Sequence, residues 1–268
     1  MTLIITELSH LGIIMVGETA QTVECLAPNH TIQERSFVGL VKVIPVPELR
    51  AGLSYWGWAK IPPQESKDGI YMDWWLQNLA SQRANEYNSI EALAKLLEKE
   101  LREIIPKITD EQLEEFHWGN GGIHLAGFVK TNGNDLPCFW SIHNGFSQSN
   151  NELDPHIVNA HYDVPPQKFD EGTAIFRNGD IDVYSQFFDS HLTNYLQEVQ
   201  AKFGIVIPYP DLNSRAEFWA AQIKFISALY EASGYLGRQG LSRMTKVVGD
   251  QVTTLTITEK GIASYFTR

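Results

Sequence analysis

The apolar and polar positions of the chain first form a pattern between Thr2 and Glu18, where the runs LIIT and GIIMV flank the polar stretch ELSH. This predicts a β-hairpin starting at the second residue. Chain ends usually fray, so strand-forming apolar residues at the N-terminus imply that the terminus is held inside the fold. Residues 36–57, SFVGLVKVIPVPELRAGLSYWG, predict two more strands, with Pro45 and Pro47 at an edge or a strand end. Across 76–105, Leu93, Leu96, Leu97, Leu101 and Ile104 recur at three- and four-residue intervals, the stripe of an amphipathic helix that Pro106 ends.

From Gly121 to Gly145, two strand-like runs flank TNGND, a strong hairpin-turn signal. Residues 146–172 are polar and carry Pro155, Pro165 and Pro166, so a long loop or lid is expected there. A short strand, TAIF, then meets the turn RNGD and a helix with Ile181, Tyr184, Phe187, Phe188, Leu192, Tyr195 and Val199 on one face. A second helix is expected to start at Asn213 or Ser214 as N-cap, with Phe218, Ile223, Ile226 and Tyr230 along its apolar stripe. The tail alternates over Val252, Thr254, Thr256 and Thr258 and predicts a closing pair of strands around Gly261. This order suits an α+β fold, two antiparallel sheets with helices on their outer faces. No repeat or linker interrupts it, and residues 1–268 are expected as a single domain with an inserted loop or lid at 146–172.

Charge narrows the partners. With 21 basic against 32 acidic residues, the formal net charge of −11 repels phosphate backbones and anionic lipid at long range, so neither nucleic acid nor membrane is an expected partner. No apolar run reaches the roughly 18 residues of a membrane span, and the first residues lack a signal peptide's pattern; a cytoplasmic protein is expected. Cys25 and Cys138 lie far apart without metal-site or redox spacing, and read as two buried, reduced thiols. His156, His161 and Asp163 are the tightest group of metal-ligating types. They lack helical or hairpin spacing, so no metal is expected.

Several segments together resemble the proteasome β-subunit family of N-terminal-nucleophile (Ntn) hydrolases. TLIITELSHLGIIMVGET resembles the family's opening TTIV…GVVLAADS without a gap, with Thr2 on the nucleophile, Gly12 on the hairpin glycine and Glu18 where the family has aspartate. LVKVIPVPELRAGLSYWG resembles the segment in which a lysine opens a strand and a later glycine supplies the oxyanion amide; Lys42 and Gly57 fit, with one extra residue between them. HLAGFVKTNGNDLPCFWSIHNG, AIFRNGDIDVYSQFF and VVGDQVTTLTITEKGI resemble the central and closing strands. Three departures stand beside these matches. The family's serine–glycine pair is here Asn178, Gly179 and Asp180; the supporting Asp-x-x-Ser-Gly stretch is missing from SGYLGRQGLSRMTKVVGD, with Ser242 its nearest candidate; and about eight residues are added between Glu18 and Lys42.

The resemblance implies a four-layer αββα sandwich and a threonine-type amidohydrolase or peptidase. After Met1 is removed, Thr2 would attack a peptide or small amide bond through an acyl-enzyme, with its own amine as base. Glu18, Lys42 and Gly57 complete the implied catalytic set, and no cofactor or metal is implied. A homo-oligomer or ring is the implied assembly. The alternative is a catalytically inactive relative serving as an assembly or binding subunit, favoured by the missing Asp-x-x-Ser-Gly stretch and by the tryptophans at 56, 58, 74 and 75. Those tryptophans read as packing a helix against an outer sheet, or as narrowing a substrate pocket.

Overall fold

A computed structural model describes residues 3–26, 32–61, 69–111, 121–146, 153–166, 172–179, 202, 211–238 and 251–268. Within 21–38, 145–146, 153–155 and 230–238 it describes the backbone alone. The helix expected after RNGD, and Ser242 with its neighbours, lie outside the described residues.

The N-terminal hairpin is β1 (Leu3–Ser9) and β2 (Gly12–Glu18). Both strands are buried along their length, which is why apolar runs rather than strict alternation mark them. They form the centre of one five-stranded antiparallel sheet. β12 (Thr173–Gly179) pairs with β1, while β13 (Val252–Thr258) and β14 (Gly261–Thr267) continue beyond β2. The second sheet runs in the order β11 (Leu153–Val164), β10 (Asn134–Phe146), β9 (Gly122–Thr131), β6 (Ala51–Trp56) and β5 (Val43–Val46). A separate ribbon, β3 (Ala20–Leu26) with β4 (Ile32–Gly39), lies between Glu18 and Lys42 in the chain. Lys60–Ile61 and Ile70–Tyr71 pair as a short two-stranded ladder, β7 and β8.

Two expectations change here. The stretch expected as a loop or lid at 146–172 holds the twelve-residue strand β11, paired with β10. Val158, Ala160 and Tyr162 alternate with Asn159, His161 and Asp163, a period-two pattern that the prolines obscure in sequence. β11 is an edge strand, and an edge tolerates Pro155 because one side of its ladder is unpaired. Likewise RNG does not turn after TAIF but extends β12 to Gly179.

Three apolar clusters lie in and around the sheets. Between them sit Leu8, Ile13, Met15, Val43, Ala126, Phe139, Leu255 and Ile257. Gly52 belongs to this interface, where an added Cβ would overlap Leu255 and stand 2.7 Å from the Met15 sulfur. α1 (Met72–Gln82) and α2 (Ile90–Ile104) bury Leu76, Leu93 and Leu97 with Leu53, Tyr55, Leu125 and Ile142 of the second sheet. The Ser89 hydroxyl caps α2 by accepting from the Ala92 N–H, 3.1 Å away.

On the first sheet, α3 (Leu212–Arg238) packs Ala216, Trp219, Ile223 and Ile226 against Leu3, Ile5, Ile14 and Val16. Its cap is Asp211, ahead of the expected start: the carboxylate accepts from the Ser214 N–H at 2.8 Å, and a carboxylate suits a helix N-terminus better than an amide or hydroxyl does. Glu7 of β1, fully buried, ties this helix down by accepting from Arg215 Nε and Trp219 Nε1, both at 2.6 Å. Trp219→Phe keeps the ring packing and orphans one side of a buried carboxylate. It should cost about 1–3 kcal/mol, read by urea denaturation.

Candidate active site

β2 ends on Glu18, and Lys42 stands just before β5. The strand pair Val43↔Ser54 brings the Lys42 end of β5 beside Tyr55, whose N–H donates to the Lys42 carbonyl at 3.3 Å. An added Cβ on Gly17 would lie 3.5 Å from the Cβ of Lys42, so the two sheets meet at this point. The Lys42 ammonium donates to Glu18 Oε1 and to the Ala20 carbonyl. The other Glu18 oxygen accepts the Ala20 N–H at 2.6 Å. Lys42 is 2% exposed and Glu18 0%. Burial pulls the ammonium's pKa below its ordinary value, and the Glu18 charge opposes that shift.

Two further groups border the pair. The carboxylate of Asp73, in α1, accepts the Val41 N–H at 3.1 Å and adds a second negative charge within electrostatic reach of Lys42. Tyr55 is buried, and burial pushes its hydroxyl well above its ordinary pKa, reinforced by the charges of Asp73 and Glu18. Its hydroxyl has no hydrogen-bond partner among the described residues.

Gly57 directly follows β6 with φ at +76°, a left-handed conformation that favours glycine. It is exposed, and Trp58 N–H folds back onto the Trp56 carbonyl across it at 2.9 Å. Glu18, Lys42 and Gly57 thus stand at one end of the paired sheets. Thr2 lies outside the described residues, one position before β1.

The tryptophans divide. Trp58 is buried among the apolar residues under α1 and α2, with Trp75 packed partly against them. Trp74 is exposed. Trp56 instead lines a cavity of about 510 Å3 between β10, β11 and β12, together with Ser141, His143, His161, Arg177 and Asn178.

Above this cavity runs a buried polar network that sequence reasoning missed. His124 of β9 meets Thr6 Oγ1 through Nδ1 at 3.0 Å and Asn178 Oδ1 through Nε2 at 2.6 Å. Its ring stands edge-on to Phe139, which stacks on Phe176 at 3.8 Å. Burial lowers the His124 pKa to about 4, so the ring is neutral near pH 7. The signal was available in the run GIHLAG, where a lone imidazole shares the inward parity of Gly122 and Ala126.

His156, His161 and Asp163 all lie on β11. His161 pairs with Asp163 at 3.1 Å, while His156 reaches the Ile108 carbonyl at 3.3 Å from the opposite face of β11. Among the described residues, no three ligating side chains could hold a metal ion. Cys138 is buried, which pushes its thiol up to about 12; Cys25 lies in β3, where only the backbone is described. Among the described residues no helix is long and apolar enough to cross a membrane.

No protein-family model matches the chain, and no curated protein matches it. Among solved structures it is similar to an Anbu (Gly-1) mutant from Hyphomicrobium sp. strain MC1, at 10% identity and a TM-score of 0.39, over 100% of this chain and 87% of that one. A likeness that remote says nothing about activity.

Proposed function

We propose that this chain is an N-terminal-nucleophile amide hydrolase, built on the four-layer αββα sandwich as a single domain. The support for the layers is the three apolar clusters, one between the sheets and one beneath the helices on each outer face. The observation that carries the activity is the Lys42–Glu18 pair, buried where β2, β5 and β6 end together. Burying two charges is costly, and well-packed apolar residues often serve stability as well or better. A charge pair kept dry at a sheet end therefore points to chemistry.

In this reading Met1 is removed and Thr2 carries both nucleophile and base. A free α-amine, with a reference pKa of about 7.7–8.0, is partly neutral near pH 7 and takes the hydroxyl proton as oxygen attacks the carbonyl. The Lys42 charge favours the deprotonated hydroxyl and amine, and Glu18 fixes the lysine in place. The Gly57 N–H donates to the oxyanion, a contact typically contributing about 2.7–4 kcal/mol. The amine leaving group departs with the proton, leaving a threonyl ester that water hydrolyses. Ile4 and Thr6, which share Thr2's parity in sequence, face the second sheet; Thr6 reaches His124 there.

Edman sequencing and intact mass of the purified chain should show Thr2 at the N-terminus. A panel of fluorogenic peptide amides should find turnover that Thr2→Ala abolishes without loss of fold. Retained Met1 together with no cleavage would sink the proposal in favour of a binding or assembly subunit. Self-association, which goes with this reading, is tested by sedimentation velocity.

A further inference from the structure

We infer that Asn178 is a ligand-recognition residue whose side-chain NH2 serves the Trp56–His143 cavity as a hydrogen-bond donor to a neutral amide carbonyl, and that His124 and Thr6 are positioning residues that fix its orientation. This rests on the hydrolase reading and extends it by naming what the neighbouring cavity recognises.

The hydrogen-bond partners couple the position of the ring proton to the orientation of the carboxamide. Thr6 Oγ1 lies 3.0 Å from His124 Nδ1 and Asn178 Oδ1 lies 2.6 Å from Nε2. A neutral imidazole has one donor and one acceptor nitrogen. With Asn178 Oδ1 as acceptor, the ring proton must sit on Nε2. Nδ1 then accepts from the Thr6 hydroxyl. The reverse chain, with Nδ1–H donating to Thr6 and the Asn178 NH2 donating to Nε2, would turn the carboxamide oxygen to the cavity, so the position of the ring proton reports the carboxamide orientation. Asn178 lines the cavity, and with its oxygen committed to His124 it has two N–H donors left to offer.

The surroundings hold this arrangement still. Thr6 is fully buried and His124 nearly so, in the row where Phe139 and Phe176 stack. Asn178 sits opposite Ile4 in the β1–β12 ladder, and Ile4 follows Thr2 by two residues. Trp56, on the cavity's other wall, immediately precedes Gly57. The cavity thus adjoins the candidate catalytic end rather than the far end of the sheets.

Its chemistry selects among acceptors. Arg177 turns its guanidinium to the Trp219 ring on the other face of β12, 5.5 Å away, while the Asp163 carboxylate, paired with His161 at 3.1 Å, lies on the wall, so an anionic ligand is disfavoured. Trp56, Phe139 and Phe176 supply apolar surface. A neutral carboxamide carrying an aromatic or aliphatic side chain fits both features, with its carbonyl oxygen meeting the Asn178 donors.

Nuclear magnetic resonance on the full chain tests this without turnover. Long-range nitrogen–proton correlation should place the His124 proton on Nε2. The Asn178 side-chain NH2 signals, identified by their loss in Asn178→Asp, should shift on adding N-acetyl-phenylalaninamide. Asn178→Asp swaps donor for acceptor at constant shape and should weaken that binding at least about tenfold. Thr6→Val should weaken it several-fold, with Thr6→Ser restoring it, a rescue that bulk packing alone would not produce. A proton on Nδ1, unmoved NH2 signals, or equal binding by Asn178→Asp would each overturn the inference. Because cleavage is not measured, a chain that keeps Met1 and cleaves nothing still answers this question, and an active chain whose NH2 signals stay still refutes only this inference.

Discussion

Lys42→Met should destabilise the protein by about 3–5 kcal/mol, measured by urea denaturation at pH 7, while Glu18→Gln combined with Lys42→Met should recover most of that loss. The asymmetry arises from desolvation. Lys42 and Glu18 are both essentially dry, so each owes its tolerance of burial to the other. Removing the ammonium strands a carboxylate that burial then forces toward its neutral form. Replacing both leaves an amide beside a thioether, with no charge to bury, and the new carboxamide oxygen can still accept the Ala20 N–H that Glu18 holds at 2.6 Å. The thermodynamic cycle should therefore show strong coupling between the two positions. Turnover separates this from the catalytic reading: the double variant regains stability but not activity, since neither Met nor Gln supplies a positive charge near the nucleophile. A Lys42→Met cost below about 1 kcal/mol would mean that water reaches the pair, and its burial would no longer point to chemistry.

Which parts of this arrangement were legible in the sequence depends on how local their cause is. The hairpin of β1 and β2 was readable because its residues are buried on both faces and so uniformly apolar. The β9–β10 turn was readable because Asn132 and Gly133 both adopt positive φ, 52° and 85°, which the pair Asn-Gly accommodates well. β11 was misread because Pro155 and Pro165 signal a loop locally, whereas its pairing with β10 at the edge of a sheet is a long-range fact. The start of α3 was misplaced by a few residues, since Asn213, Ser214 and Asp211 are all competent caps and only the folded geometry selects Asp211. Glu18 and Lys42 could be singled out through resemblance alone. Nothing in their local pattern says that residues 24 apart will meet as a buried ion pair. Thr6, His124 and Asn178 come from three strands of two sheets, and no local spacing joins them.

Acidification should weaken the fold through His124 before it does so through the surface carboxylates. In the unfolded chain this imidazole takes a proton near pH 6.5, while in the folded protein burial withholds it until about pH 4. Folding therefore releases a proton in that interval, and lowering the pH favours the unfolded state. Stability is intact above pH 6.5 and falls by up to about 1.4 kcal/mol per pH unit below it, approaching about 3 kcal/mol near pH 4. Asp135 beside Arg50, Glu86 beside Arg83 and Asp211 at its cap also have lowered pKa values, and their contributions are lost at lower pH, below the ordinary carboxylate range. The interval from about pH 6.5 to about pH 5 thus lies above the range of those carboxylates, and a His124 variant separates this imidazole from the other seven histidines of the chain. His124→Gln, which has no proton to gain, should be less stable at pH 7 yet flatter across that interval, in urea denaturation series at each pH. An unchanged slope in His124→Gln would show that another group binds the proton, and that the network joining Thr6 to Asn178 opens to water before it unfolds.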